Sequence, residues 1–447
     1  MNDSTIIKKK ISPQRILVIG FIVVILIGTF LLLLPAMTAE QNSISFIDAF
    51  FTATSSVCVT GLVVKDTGSF FSFWGKLVIL SLIQIGAVGY MTIASFLFLL
   101  IGKKISMRDR LAIQQSLAQK DIGSIFQFSK YVIITTFFIE CIGAIILTFA
   151  FLRRFSFKES IFLGIFHSIS AFCNAGFSLF STSLEGFKEQ PLIVLTMASL
   201  FILGGVGFIA ISNIYYSLIK KTKRITIHTK MVVLVTTILI IIGFLFFFVF
   251  EFKNPNTIGN LPLGQKILIS FFQAVTPRTA GFNVISVNGM LNVTLFFTLF
   301  LMFIGASPGG TGGGIKTTTF GVAISTIFAV IRGKKDVTFS FHRIAEDIIK
   351  KSHVVIILGA AIIGIMTGLL LFFEKISVIK ILFEVVSAFG TVGLSTGITS
   401  TLLPISKLFL ILTMFIGRLG PLTVGIAVLK EMEIRRFRYP EQRIMVG

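Results

Sequence analysis

The chain has 447 residues, of which 54% are hydrophobic and only 13% charged, with 50 Phe and a mean hydropathy of +0.95. That composition excludes a soluble globular domain and points to a chain that lives in the bilayer. The net charge of +21 does not mark a nucleic-acid binder, because the basic residues cluster between apolar runs.

Taken in chain order, runs long enough to span, about 20 residues, recur near 15–35, 74–101, 129–152, 191–219, 229–251, 291–331, 352–374 and 404–429. They predict eight transmembrane helices, with 291–331 as one interrupted span. The first run follows Lys8, Lys9 and Lys10 and imitates a secretion signal. It is longer than a signal's apolar region, and PAMTAE is a poor cleavage site, so it reads as a retained span. Of the 40 basic residues, 26 fall in segments 8–15, 103–130, 220–230, 332–351 and 430–443. All five segments lie on one side of an even-span topology, so both termini are expected in the cytosol, as for a multi-pass protein of the cell membrane. Cys58, Cys141 and Cys173 lack C-x-x-C spacing and the four His are scattered. Neither a disulfide framework nor a metal cluster is expected, and no nucleophile–base pair marks an enzyme.

Between paired spans the sequence repeats four times: FFTATSSVCVTGLV, FHSISAFCNAGFSL, FFQAVTPRTAGFNV and FEVVSAFGTVGLST. Aligned without gaps on Phe51, Phe166, Phe271 and Phe383, the segments place Gly61, Gly176, Gly281 and Gly393 ten residues later. A 10–14 residue apolar segment is too short to cross a bilayer, but it can enter and return. Its returning strand leaves backbone groups without partners in lipid, which is tolerated only where it lines a water-filled cavity. Four copies around one axis supply that cavity, and their carbonyls can replace the hydration shell of a cation. The expected fold is an all-α integral membrane protein of four span–re-entrant pore helix–span repeats around one pore. Its parts are a cytosolic N-terminus 1–14, repeats 15–101, 129–219, 228–331 and 352–430, and a cytosolic tail 431–447.

In these four segments the chain resembles the Trk/Ktr/HKT superfamily of potassium transporters, over essentially all its length. Thr391-Val392-Gly393 is close to the TVG core of potassium-channel filters, and the length is similar to that of the Ktr membrane subunit. The resemblance implies potassium uptake with sodium as a candidate activator, a homodimer with a pore in each subunit, and a cytosolic nucleotide-binding (RCK-type) ring that carries the nucleotide. This chain itself would bind no cofactor. The implied filter is Val59-Thr60-Gly61, Asn174-Ala175-Gly176, Thr279-Ala280-Gly281 and Thr391-Val392-Gly393. In the plant branch, Ser at the first filter glycine accompanies sodium preference, so Gly61 favours potassium. A sodium or non-selective cation transporter of the same fold is the near alternative. A secondary transporter of a small solute is the remote one.

GASPGGTGGGIKTTTF, residues 305–320, interrupts the second span of repeat three. It imitates a nucleotide-binding P-loop, but Ile315 separates Gly314 from Lys316 and breaks the required pattern. Gly305, Gly309, Gly310, Gly312, Gly313 and Gly314, with Pro308 and Thr311 among them, cannot hold a continuous helix. The equivalent spans of the other repeats carry no such insertion. Broken helices at membrane depth belong beside ion paths, and in the superfamily this segment is an intramembrane gate, here 305–319. Lys316 and Arg418 are cations at membrane depth and need a partner or a cavity. They are expected to brace the loop or to form an electrostatic barrier. Arg278 and Glu384 are expected to support their filter turns, paired with other charges. The basic loops are expected to contact lipid, and 332–351 and 430–447 are candidate docking segments for the ring.

Overall fold

The computed structural model describes residues 13–39, 43–89, 125–220, 225–428 and 442. The expected tail, almost all of the N-terminus and the end of the second span lie outside the described residues. Four helices are long and apolar enough to cross a membrane alone: α1 (Pro13–Leu32), α4 (Ile125–Phe151), α8 (Ile227–Glu251) and α12 (Glu346–Phe373). They open the four repeats. Their outward side chains are apolar: Phe138 and Phe149 on α4 and Phe372 on α12 are all more than 60% exposed. Such a surface is a liability in water and the expected one against hydrocarbon.

After each opening span comes a short helix: α2 (Phe46–Val57), α5 (Phe157–Phe172), α9 (Leu263–Val275) and α13 (Val378–Gly390). Side chains start two of them. Ser45 accepts from the Asp48 N–H, and Ser156 with Glu159 forms a capping box, so orphan N–H groups at the helix start are satisfied. At 12 to 16 residues and 1.5 Å per residue these helices are about 18–24 Å long, too short to cross.

The second spans are α3 (Phe73–Val88), α6 with α7 (Pro191–Val206 and Phe208–Lys220), α10 with α11 (Asn292–Phe303 and Thr317–Ile331), and α14 with α15 (Pro404–Leu419 and Pro421–Val428). Each short helix packs against its own opening span. It also meets the second span of the preceding repeat: α3 on α5, α6 on α9, α10 on α13, and α14 back on α2. The last contact closes the four repeats into a ring. A buried ion pair, Lys407 Nζ to Asp48 Oδ1 at 2.8 Å, ties that seam.

One feature corrects the sequence reading, which gave a break to the third repeat alone. Among the described residues the second span also bends in the second and fourth repeats. The α6–α7 pair bends by 97° at Gly207 and the α14–α15 pair by 98° at Gly420, while α3 stops at Gly89. The three glycines have φ of +92°, +88° and +85°, a region barred to residues with a Cβ. Two-residue strands β1 (Thr338–Phe339) and β2 (His342–Arg343) form a hairpin after α11.

Candidate ion-conduction site

The four short helices converge, and each ends within a few residues of its predicted triplet. The first residue of each triplet has positive φ although none is glycine: Val59 +55°, Asn174 +56°, Thr279 +74° and Thr391 +50°. The triplet glycines are also positive, at +86°, +71°, +77° and +91° in chain order. The middle residues Thr60, Ala175, Ala280 and Val392 are not. Alternation of handedness turns successive carbonyls to one side of the strand instead of to both. Non-glycine residues in this region are costly and mark a site where the surroundings over-determine the backbone.

The glycines meet around an axis. A Cβ added to Gly61 would lie 2.5 Å from the Ala175 carbonyl oxygen, and one on Gly176 would lie 3.1 Å from the Gly281 Cα. One on Gly281 would lie 2.3 Å from the Val392 oxygen, and one on Gly393 2.2 Å from the Thr60 oxygen. The circuit runs through the repeats in order and closes. All four glycines line one cavity of about 530 Å³.

Below this ring lies the 304–316 segment. Ile304 and Ile315 pair as a parallel bridge, so the loop leaves and re-enters the span at one level. It is tightly tied to its surroundings. Ser307 and Thr311 N–H donate to the Gly205 and Gly204 carbonyls of α6, and the Gly314 N–H donates to Gly417 of α14. The Gly309 carbonyl accepts from Phe208, the first residue past the α6 bend. Three contacts reach the first triplet residues. Asn174 Nδ2 donates to Thr311 Oγ1 at 2.9 Å, and the Gly313 N–H donates to Thr391 Oγ1 at 2.8 Å. Gly312 is packed so closely on Thr279 that a Cβ would stand 2.0 Å from its hydroxyl. Lys316 Nζ donates to the Gly312 carbonyl at 2.7 Å. Arg418 donates to the Thr311 carbonyl and to the Gly86 carbonyl near the end of α3. One guanidinium therefore links the loop to the first repeat.

A family model described as a cation transport protein, TrkH, matches residues 9–438. This chain belongs to the TrkH family. It is 40% identical over 445 residues to the Ktr system potassium uptake protein B of Bacillus subtilis, covering 100% of this chain and 99% of that one. It is 37% identical to the protein of the same name from Vibrio alginolyticus, over 98% and 96% of the two chains. It is 36% identical to the potassium/sodium uptake protein NtpJ of Enterococcus hirae, over 99% and 98%. In fold it is similar to the potassium transporter TrkH of Vibrio parahaemolyticus, whose crystal structure superposes with a TM-score of 0.74 at 18% identity, over 96% of this chain and 87% of that one.

Hydroxyls that the sequence reading did not single out brace the turns of this TrkH-family chain. Ser55 donates to the Leu62 carbonyl and accepts from the Gly61 N–H. Ser170 donates to Phe177, and Ser387 accepts from Gly393 N–H. The N–H of the middle triplet residue donates five residues back, at 2.8 Å, from Thr60, Ala175 and Val392. In the third repeat Ala280 donates four back, to Thr276, and the Thr276 hydroxyl takes over the bracing of Phe282. The signal was a Ser six residues before the glycine in three repeats, and Thr276, five before, in the third.

The two flanking charges differ from expectation. Glu384 sits mid-way along α13. It accepts from Ser395, Thr396 and Thr399 rather than from a cation, and so holds the strand leaving the fourth turn. Arg278 donates to the Thr236 carbonyl of α8 at 3.3 Å, and among the described residues it has no charged partner. On the outer wall Glu185 accepts from Asn283 at 2.9 Å. Its burial raises the carboxyl above its ordinary value, against the lowering effects of Asn283 and Lys188.

Proposed function

We propose that this chain is the ion-translocating subunit of a potassium uptake system of the cell membrane, with both termini cytosolic. The observation that carries the reading is the closed circuit of Gly61, Gly176, Gly281 and Gly393 around one cavity. The printed names of the full-length relatives supply the ion. Carbonyl oxygens of the four triplets act as the filter, replacing water around a dehydrated cation. The pore helices aim their negative C-terminal ends at it. Each of the repeats 15–101, 129–219, 228–331 and 352–430 contributes a quarter of this ring.

The 305–319 segment acts as the gate. In the described state it lies under three of the four triplets, bonded to Asn174 and Thr391 and packed on Thr279. Opening breaks those bonds together with the ties to α6 and α14. Lys316 stiffens the loop, and Arg418 both latches it and sets a positive charge below the filter, repelling cations until the loop moves. Ktr names of the relatives refer to a system, which fits a second subunit. In this reading the chain works as a homodimer under a cytosolic nucleotide-binding ring. The nucleotide stays on that partner, and sodium acts as an activator.

The deciding experiment is cation flux into liposomes with potassium and sodium in turn, for wild type and Gly61→Ser. Potassium flux well above sodium, with the ratio eroded by serine, is expected. Equal fluxes, or a serine without effect, would overturn the assignment. That result would favour the sodium or non-selective reading, to which the potassium/sodium name of the Enterococcus hirae relative lends support.

A further inference from the structure

At the far end of α11 from the loop, the chain builds a small basic pocket of about 240 Å³, lined by Ser325, Phe328, Ala329, Arg332, Lys334 and Thr338. The helix ends in a two-bond turn: the Gly333 N–H donates to Val330 and the Lys334 N–H to Ala329, with Gly333 at φ +63°. This is the Schellman arrangement, in which the last carbonyls are satisfied by the chain itself. It folds Lys334 back beside Arg332, whose guanidinium lies 5.9 Å from the Phe328 ring centre. Among the described residues neither cation has an ion-pair partner. Asp336 and Glu346, the acids flanking the hairpin, both pair with Arg343. Two uncompensated cations with Ser325 and Thr338 at the wall suit a phosphate.

Two observations favour a lipid over a dissolved anion. The pocket continues onto an apolar face, where Ile327, Phe328, Val330 and Ile331 of α11 are 50%, 56%, 71% and 75% exposed. Thr338 also begins the hairpin whose turn is Ser340–Phe341, with φ of +47° and +65°. Lys230, in the first turn of the spanning helix α8, donates to Ser340 Oγ at 3.2 Å. The turn is therefore held at the level where a span leaves the bilayer. Phe341 is fully exposed there, in a backbone region costly for a bulky residue. Aromatic rings are enriched at that depth of a membrane.

We propose that Arg332 and Lys334 bind the phosphate headgroup of an anionic phospholipid of the cytosolic leaflet, with its acyl chains along α11 and Phe341 anchored beside it. Basic pockets on the cytosolic side of spanning helices suit such headgroups. The proposal rests on the orientation that puts 332–351 in the cytosol. Because α11 starts at Thr317, within the last residues of the 305–319 gate segment, an occupied pocket would fix the far end of the helix on which that segment is mounted.

The test is native mass spectrometry of the purified protein titrated with phosphatidylglycerol and, separately, phosphatidylcholine. Wild type, Arg332→Gln/Lys334→Gln and Phe341→Ser are compared. Both cations are surface residues, so the double variant should keep the wild-type melting temperature. Wild type is expected to prefer phosphatidylglycerol. The double variant should bind it about 25-fold more weakly, roughly fivefold for each charge removed. Phe341→Ser should weaken both lipids and leave the preference intact. Undiminished phosphatidylglycerol binding by the double variant would overturn the site. Full displacement of the lipid by inorganic phosphate would reassign it to a soluble anion. Lost binding of the cytosolic partner with unchanged lipid binding would make it a protein interface. None of these readouts uses ion flux, so their failure leaves the conduction reading standing.

Discussion

At the scale of single residues, the proposed filter is held by hydroxyls behind it as much as by glycines in it. Ser387 accepts the N–H of Gly393 at 3.1 Å in a fully buried setting. Ser387→Ala strands that donor, at a cost of about 1–3 kcal/mol. The loss falls on the turn, not on the ring as a whole. The expected outcome is a lower potassium-to-sodium flux ratio with near-normal expression. Thr413→Val is the control, since its hydroxyl only returns to the Phe409 carbonyl of its own helix, and it should leave the ratio unchanged. Arg418 is a second case. Its donors reach carbonyls of both the loop and α3, so Arg418→Gln removes the latch and the charge together. Raised flux without the partner subunit, with the protein still in the membrane, is expected from radiotracer uptake. Simple loss of the folded protein would assign Arg418 a purely structural role. The glycines were legible because four copies stood in register. The bracing hydroxyls were not, because a buried Ser or Thr more often returns its hydrogen to the carbonyl four residues back, as Thr29 and Thr52 do here.

At the scale of elements, the third repeat differs from the second and fourth by insertion, not by having a break. Gly207 and Gly420 bend the same span in the second and fourth repeats, and α3 of the first stops at Gly89, each 27 to 31 residues after the triplet glycine. Scattered glycines in an apolar run cost about 1 kcal/mol each and read as tolerated, which is why these interruptions were not read from the sequence while six glycines among the ten residues 305–314 were. The short helices were legible for the opposite reason, since their length alone forbids crossing. The insertion fills the space under the filter, so its removal should change conduction rather than folding. Deletion of 308–314 is expected to raise potassium flux and uncouple it from the regulatory subunit. Gly312→Ala is the milder probe: its methyl would stand 2.0 Å from Thr279 Oγ1, which levers the loop off the third triplet. Wild-type flux and regulation in both variants would sink the gate reading.

At the scale of the whole molecule, the ring depends on a closure between its first and last quarters. Residues 48 and 407 are 359 positions apart, and among the described residues α14 on α2, with α15 on α1, joins the first and last repeats, which are not chain neighbours. Hydrophobic contact gives that seam little direction in lipid, where the surroundings are as apolar as the helices. The Asp48–Lys407 pair, with side chains only 12% and 11% exposed, supplies it. Lys407→Met leaves a buried carboxylate without its partner, at a cost of roughly 3–5 kcal/mol. Asp48→Asn with Lys407→Met removes both charges and should restore most of that loss. Thermal melting in detergent reads stability, and the flux ratio reads the fourth side of the filter. If the pair sets the seam, the single variant lowers both, and the double variant recovers melting ahead of selectivity, because neutral partners pack without fixing register. Equal melting of all three proteins would mean that backbone packing of α14 on α2 closes the ring unaided.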